Sequence, residues 1–69
     1  MKNNIRVERA IKRITQQQLA EAIGVSRQTI NAIEAGKYAP SAVLALKMSS
    51  VFEKPVNDFF ELEDSDWKE

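Results

Sequence analysis

The chain has 69 residues, with ten Lys and Arg, ten Asp and Glu, no His and no Cys. A length this small makes one domain, which hides only about 60% of the surface its unfolded form exposes, and the missing Cys and His exclude disulfides, zinc knuckles and thiol or imidazole catalysis. The zero net charge conceals an asymmetry: residues 1–54 carry nine Lys and Arg against four acids, and residues 55–69 one Lys against six acids.

No stretch resembles a signal peptide and no apolar run is long enough to span a bilayer, which fits a cytoplasmic setting without membrane partners. With two Gly and two Pro, no strand alternation and no repeat, the pattern reads as all-α with short turns. A first helix is expected from about Asn4 to Lys12, capped by Asn3 or Asn4. Its apolar residues, Ile5, Val7, Ala10 and Ile11, do not share one narrow stripe. The second helix begins at Thr15, where Thr15-x-x-Gln18 is a capping box. Leu19, Ala20 and Ile23 form its buried face, and Gly24 ends it in a left-handed turn. Ser26 caps a third helix, Arg27 to Ala35, which stops at Gly36. After the loop Lys37-Tyr-Ala-Pro40, Ser41 caps a fourth, about Ala42 to Glu53, with Leu44, Ala45, Met48, Val51 and Phe52 inward. Pro55 suits the first turn of a short fifth helix, Val56 to Phe60. An acidic tail, 61–69, holds Leu62 and Trp67.

The third helix carries the most specific chemistry. Unrolled at about 100° per residue, it puts Ile30 and Ile33 on one side, facing the core. Gln28, Asn31 and Ala32 then point away, with Arg27 at the rim. Gln and Asn can grip adenine bidentately, Arg can grip guanine, and a methyl can meet thymine. This face lacks acids and bulky apolar groups, so it can enter the major groove of DNA without repulsion; an ordinary solvated face would mix Lys and Glu. The free N–H groups of helix N-termini attract phosphate. Gln16 and Gln17 begin the second helix, and Ser26 and Arg27 the third. Lys37 and Tyr38 are in reach of the neighbouring backbone, although Tyr38 can equally pack over the fourth helix.

The string Thr15-Gln16-x-x-Leu19-Ala20-x-x-Ile23-Gly24-Val25-Ser26-Arg27-Gln28-Thr29-Ile30-x-x-Ile33-Glu34-x-Gly36-Lys37-Tyr38-x-Pro40-Ser41 closely resembles the Cro/CI-type (xenobiotic response element) helix-turn-helix regulators, notably their small single-domain members. The resemblance covers nearly the whole chain. It implies a five-helix, lambda-repressor-like DNA-binding domain with helix-turn-helix 15–35. By the same resemblance, Arg27, Gln28, Asn31 and Ala32 contact bases, and Gln16 and Lys37 hold phosphates. Arg9 and Glu34 match a salt-bridged pair joining the first helix to the end of the third. Glu34 also falls beside Ile30 on the wheel, on the inward side, where an unpaired acid is costly. Three residues depart from the family pattern: Glu8 replaces an apolar residue, Arg13 a common Gly, and Pro55 a Ser or Thr cap.

One recognition helix reads only a few base pairs. Relatives dimerise, spacing two such helices about 34 Å apart on a palindromic operator. Here Val43 and Leu46 fall off the inner stripe of the fourth helix, while Val56, Phe59, Phe60, Leu62 and Trp67 crowd the C-terminal end. They either close a small core or form a homodimer interface centred on Val56, Phe59, Phe60 and Leu62. Met1–Asn3 can also pair as a strand with Phe60–Glu63, as in some small relatives. The expected function is a sequence-specific regulator of transcription, more often a repressor, because a bound dimer occludes promoter DNA. The alternative is an antitoxin or adaptor whose acidic tail wraps a basic partner. No convergent carboxylates, metal cluster or phosphate loop appears, so no enzyme, cofactor or small-molecule ligand is expected.

Overall fold

Side-chain caps start three of the four helices, and a left-handed residue follows each of the four. The computed structural model describes residues 1–68; Glu69, the end of the expected acidic tail, lies outside the described residues. In chain order the elements are β1 (Lys2–Asn3), α1 (Ile5–Lys12), α2 (Gln16–Ile23), α3 (Arg27–Glu34), α4 (Ala42–Phe52), a 3-10 turn (Val56–Asp58), β2 (Phe60–Glu61) and a second 3-10 turn (Asp64–Trp67).

The caps are local chemistry. The Thr15 hydroxyl accepts the Gln18 N–H at 3.0 Å, and the Gln18 side chain accepts the Thr15 N–H at 2.8 Å. Ser26 and Ser41 accept the N–H groups of Thr29 and Leu44, each at 3.2 Å. A cap of this kind contributes about 1 kcal/mol. At α1 the work falls to Asn3, whose Oδ1 accepts the Ile5 N–H at 3.3 Å while its Nδ2 donates to the Ile33 carbonyl at 2.9 Å. At the C-termini the chain doubles back: Ile14 N–H reaches the Arg9 carbonyl, and Lys37 N–H the Ala32 carbonyl. Such reversals need a left-handed residue. Gly24 and Gly36 supply it freely, but Arg13 and Glu53 adopt it at φ 57° each.

The core is built from Ile5, Leu19, Ala20, Ile23, Ile30, Ile33, Met48, Phe52, Phe59 and Phe60. Phe59 packs edge-on against Phe52 with centroids 5.1 Å apart, and Phe60 leans on Phe59 at 5.2 Å. Leu44, Ala45 and Val51 of α4 pack against this cluster from positions that are half-buried.

One expectation is corrected at the C-terminal end. The fifth helix, Val56 to Phe60, does not form: after Pro55 the chain makes one 3-10 turn and then extends. The Phe59 carbonyl accepts the Asn4 N–H at 2.9 Å, and Lys2 and Asn3 pair antiparallel with Glu61 and Phe60. A helix continuing through Phe60 would forfeit these strand bonds. The short terminal pairing therefore lies within one chain. Of the four residues expected at a dimer interface, Phe59 and Phe60 are 1% and 8% exposed. Both rings are used by the chain's own core, whereas Val56 is half-buried and Leu62 exposed. Among the described residues, no helix is long and apolar enough to cross a membrane.

Helix α1 docks through charge. Its inward face is Ile5, Glu8, Arg9 and Lys12, the i, i+3, i+4, i+7 stripe of a helix, while Val7 and Ile11 are left exposed. Glu8 is buried and sits 2.9 Å from the Lys54 ammonium. Lys12 meets Glu53 at 2.6 Å. The departure from an apolar residue at Glu8 thus has a charged partner.

Candidate nucleic-acid interface

Leu19, Ala20 and Ile23 of α2 interlock with Ile30 and Ile33 of α3 in the core. That burial fixes the rotation of α3 about its axis. Arg27, Gln28 and Asn31 are exposed on the opposite side, and Ala32 is half-buried at its edge. Gln16, at the start of α2, joins Arg27, Gln28 and Asn31 in lining one open cleft of about 230 Å³.

A chain of hydrogen bonds runs beneath this cleft. Arg9 donates through Nε to Glu34 Oε2 at 2.6 Å and through Nη2 to Oε1 at 3.2 Å, the forked geometry that strengthens an Arg–carboxylate pair. Its remaining nitrogen, Nη1, donates to the Ile14 carbonyl at 3.2 Å. Gln16 Nε2 donates to Glu34 Oε1 at 3.1 Å and to Asn31 Oδ1 at 3.4 Å. Arg27 Nε in turn donates to Gln16 Oε1 at 3.4 Å. The Glu34 side chain is only 3% exposed, and Arg6 reaches it from outside at 3.8 Å. Burial alone would raise this carboxyl, but hydrogen bonds from Arg9 and Gln16 and the charges of Arg9 and Arg6 hold it below the usual carboxylate range.

The residues expected at phosphates surround this centre. Gln17 is exposed and donates to Glu21 of its own helix at 3.0 Å. Ser26 caps α3 and lies 3.0 Å from the Thr29 hydroxyl. Lys37 closes α3 through its backbone N–H and leaves its side chain exposed. Tyr38, also exposed, borders a hollow with Asn3, Ile33, Gly36 and Phe60. Among the described residues, no group of three His, Cys, Asp or Glu is placed to hold a metal.

Gln16 and Asn31 are expected at DNA separately; their link to each other and the link of Gln16 to Glu34 are additions of the structure. The signal was present: an acid on the inward side of a helix needs donors, and a long amide opens the preceding helix. Arg6 and the Lys47 ammonium, which caps α2 through the Ile23 carbonyl at 3.2 Å, carried no comparable signal.

The helix-turn-helix family model matches residues 5–59. The chain is 48% identical over 66 residues to an uncharacterized HTH-type transcriptional regulator of Methanocaldococcus jannaschii, covering 96% of this chain and all of that relative. It is 45% identical over 64 residues to the uncharacterized HTH-type transcriptional regulator YgzD of Bacillus subtilis, with 93% and 97% of the two chains covered. A third similar protein, an uncharacterized HTH-type transcriptional regulator of Archaeoglobus fulgidus, is 42% identical over 66 residues, or 96% of this chain and 94% of its own.

Proposed function

We propose that this chain, which belongs to the Cro/CI-type helix-turn-helix family, is a DNA-binding regulator of transcription that lays α3 in the major groove. One observation carries the reading. Arg27, Gln28 and Asn31 stand exposed on the side of α3 opposite buried Ile30 and Ile33, and the acid of that helix, Glu34, is turned away and neutralised by Arg9. The outer face is therefore made of groups that pair with base edges. The names of the relatives, HTH-type transcriptional regulators, agree with a role in transcription.

On this reading Arg27, Gln28, Asn31 and Ala32 meet bases, while Gln17, Ser26, Lys37 and Tyr38 meet phosphates, joined by Gln16 through its backbone N–H at the start of α2, since its side-chain amide is engaged by Glu34 and Asn31. Two copies act together on a palindromic operator in the cytoplasm, and the bound pair represses by occupying promoter DNA. The alternative, an adaptor working through a free acidic tail, has less support. The acidic segment is drawn back onto its own chain, with the Met1 ammonium 2.9 Å from Glu63 and 3.1 Å from Asp66.

Selection from random duplexes followed by titration of two variants tests the reading. Arg27→Ala should cost about 1–3 kcal/mol on the selected site and relax one base position. Lys37→Ala should weaken all sequences alike and lower the salt slope by about 0.9. If both variants bind every duplex as the parent does, the groove assignment is wrong.

A further inference from the structure

We propose that Glu34 sets the hydrogen-bond polarity of the DNA-reading face: by accepting from Gln16 it turns the Asn31 carbonyl inward and leaves Asn31 to present a donor to the groove. The inference rests on the DNA-binding function proposed above and names what that face selects. At the Asn31 position it favours a base that offers acceptors, such as guanine N7 and O6 or thymine O4, over an adenine read through both its amino group and N7.

The argument follows from which groups can donate. An ionised carboxylate only accepts, and an arginine only donates. Glu34 is buried between Arg9 and Gln16, with its carboxyl held below the usual range, so it stays an acceptor at neutral pH. The group of Gln16 that meets Glu34 must therefore be its NH2, because the carbonyl would face a like-charged oxygen. That choice sends Gln16 Oε1 toward the Arg27 guanidinium, where it accepts at 3.4 Å. It also aims the second amide hydrogen at Asn31 Oδ1, 3.4 Å away. One acid at the inner end thus orients two side chains of the outer face. A bidentate grip on adenine needs one amide to accept from N6 and donate to N7 together. Asn31 has its oxygen turned toward α2, where one of its two lone pairs is taken by Gln16, which biases Nδ2 toward the groove. Gln28, exposed and outside this chain of bonds, keeps both functions. Glu34 is in this sense a positioning residue and does not itself touch DNA.

Two measurements on the full chain test the proposal. Without DNA, side-chain amide exchange is followed by NMR, with Gln28 as an exposed reference. Gln16 should exchange about 10-fold more slowly than Gln28 in the parent, the effect of one net hydrogen bond, and at the Gln28 rate in Glu34→Gln. Equal rates in the parent overturn the proposal. With DNA, sites are selected from random duplexes for the parent, Asn31→Ala, Glu34→Gln and Gln16→Ala. The last variant leaves the Arg9–Glu34 pair intact should Glu34→Gln fail to fold. The position that Asn31→Ala relaxes should be guanine or thymine in the parent, and Gln16→Ala and Glu34→Gln should admit adenine there about 10-fold more readily, the low end of a base-pair discrimination. An adenine there in the parent, whose replacement by purine (which lacks the amino group) weakens binding, overturns the polarity while leaving DNA reading intact. If the parent selects no sequence, DNA reading itself falls, and this inference with it.

Discussion

Arg13 occupies a backbone position that suits glycine, and its cost is open to measurement. Its φ of 57° lets Ile14 N–H return to the Arg9 carbonyl at 3.0 Å, so the turn that sets α2 against α1 depends on it. A side chain in this conformation costs about 1–2 kcal/mol, part of which glycine gives back through the freedom it adds to the unfolded chain. Arg13→Gly should therefore raise stability by about 1 kcal/mol and the melting temperature by roughly 4–8 °C, as expected for a domain of this size. A calorimetric scan showing no rise would mean that the Arg13 side chain does stabilising work that offsets its strain. Glu53 shares the conformation but also accepts from Lys12 at 2.6 Å. That exposed, solvent-screened pair offsets part of the strain, so glycine there should be closer to neutral. At this scale the sequence is most legible. Thr15 with Gln18, Ser26, Ser41 and Gly24 act on backbone groups within three or four residues, and such chemistry is written locally.

Helix α1 marks where that legibility ends. An apolar count looks to Ile5, Val7 and Ile11, yet Val7 and Ile11 are 55% and 57% exposed. The inward stripe is Ile5 with three charged residues whose partners, Lys54, Glu34 and Glu53, lie 46, 25 and 41 residues along the chain. Nothing in a local pattern names such partners, because each pairing is set by where α3 and α4 come to rest. After Pro55 the terminal strand pairing expected of Met1–Asn3 with Phe60–Glu63 does form, but the local pattern of Val56 to Phe60 reads as a helix, since the strand bonds that override it come from the opposite end of the chain. A helix docked by carboxylates should be sensitive to acid. The Glu34 carboxyl lies below its ordinary value of 4.5, where Arg9 and Gln16 overcome the upward push of burial. Glu53 is lowered too, chiefly by its hydrogen bond from Lys12. A carboxyl lowered by folding stabilises the native state above its unfolded value and loses that contribution as pH falls through the folded one. The urea midpoint should therefore hold near neutrality and decline as pH drops below 4.5. Glu34→Gln should flatten part of that decline; an unchanged acid slope in this variant would place the titration elsewhere.

Across the whole molecule, the proposed pairing of two copies makes the most testable demand on the surface. One chain measures 34 × 22 × 19 Å, so a side-by-side pair has the dimensions to set two α3 helices one DNA turn, about 34 Å, apart. The core takes Phe59 and Phe60, which removes half of the surface first expected to join the copies. What remains at that end is Leu62, 56% exposed, beside a groove lined by Met1, Val56, Asn57, Phe60 and Glu61. Val43 and Leu46, one turn apart on α4, are 62% and 65% exposed and form a second apolar patch. Light scattering across protein concentration should give twice the 7.8 kDa of one chain. Because Leu62 is exposed, Leu62→Asp should change folding stability by no more than about 0.5 kcal/mol, yet a carboxylate buried between two copies would oppose their association. The variant should therefore run as a folded monomer and lose most of its affinity for a palindrome while keeping that for a single half-site. If Leu62→Asp still dimerises and Val43→Asp does not, the copies meet along α4. A parent that stays monomeric at millimolar concentration removes the two-fold reading altogether.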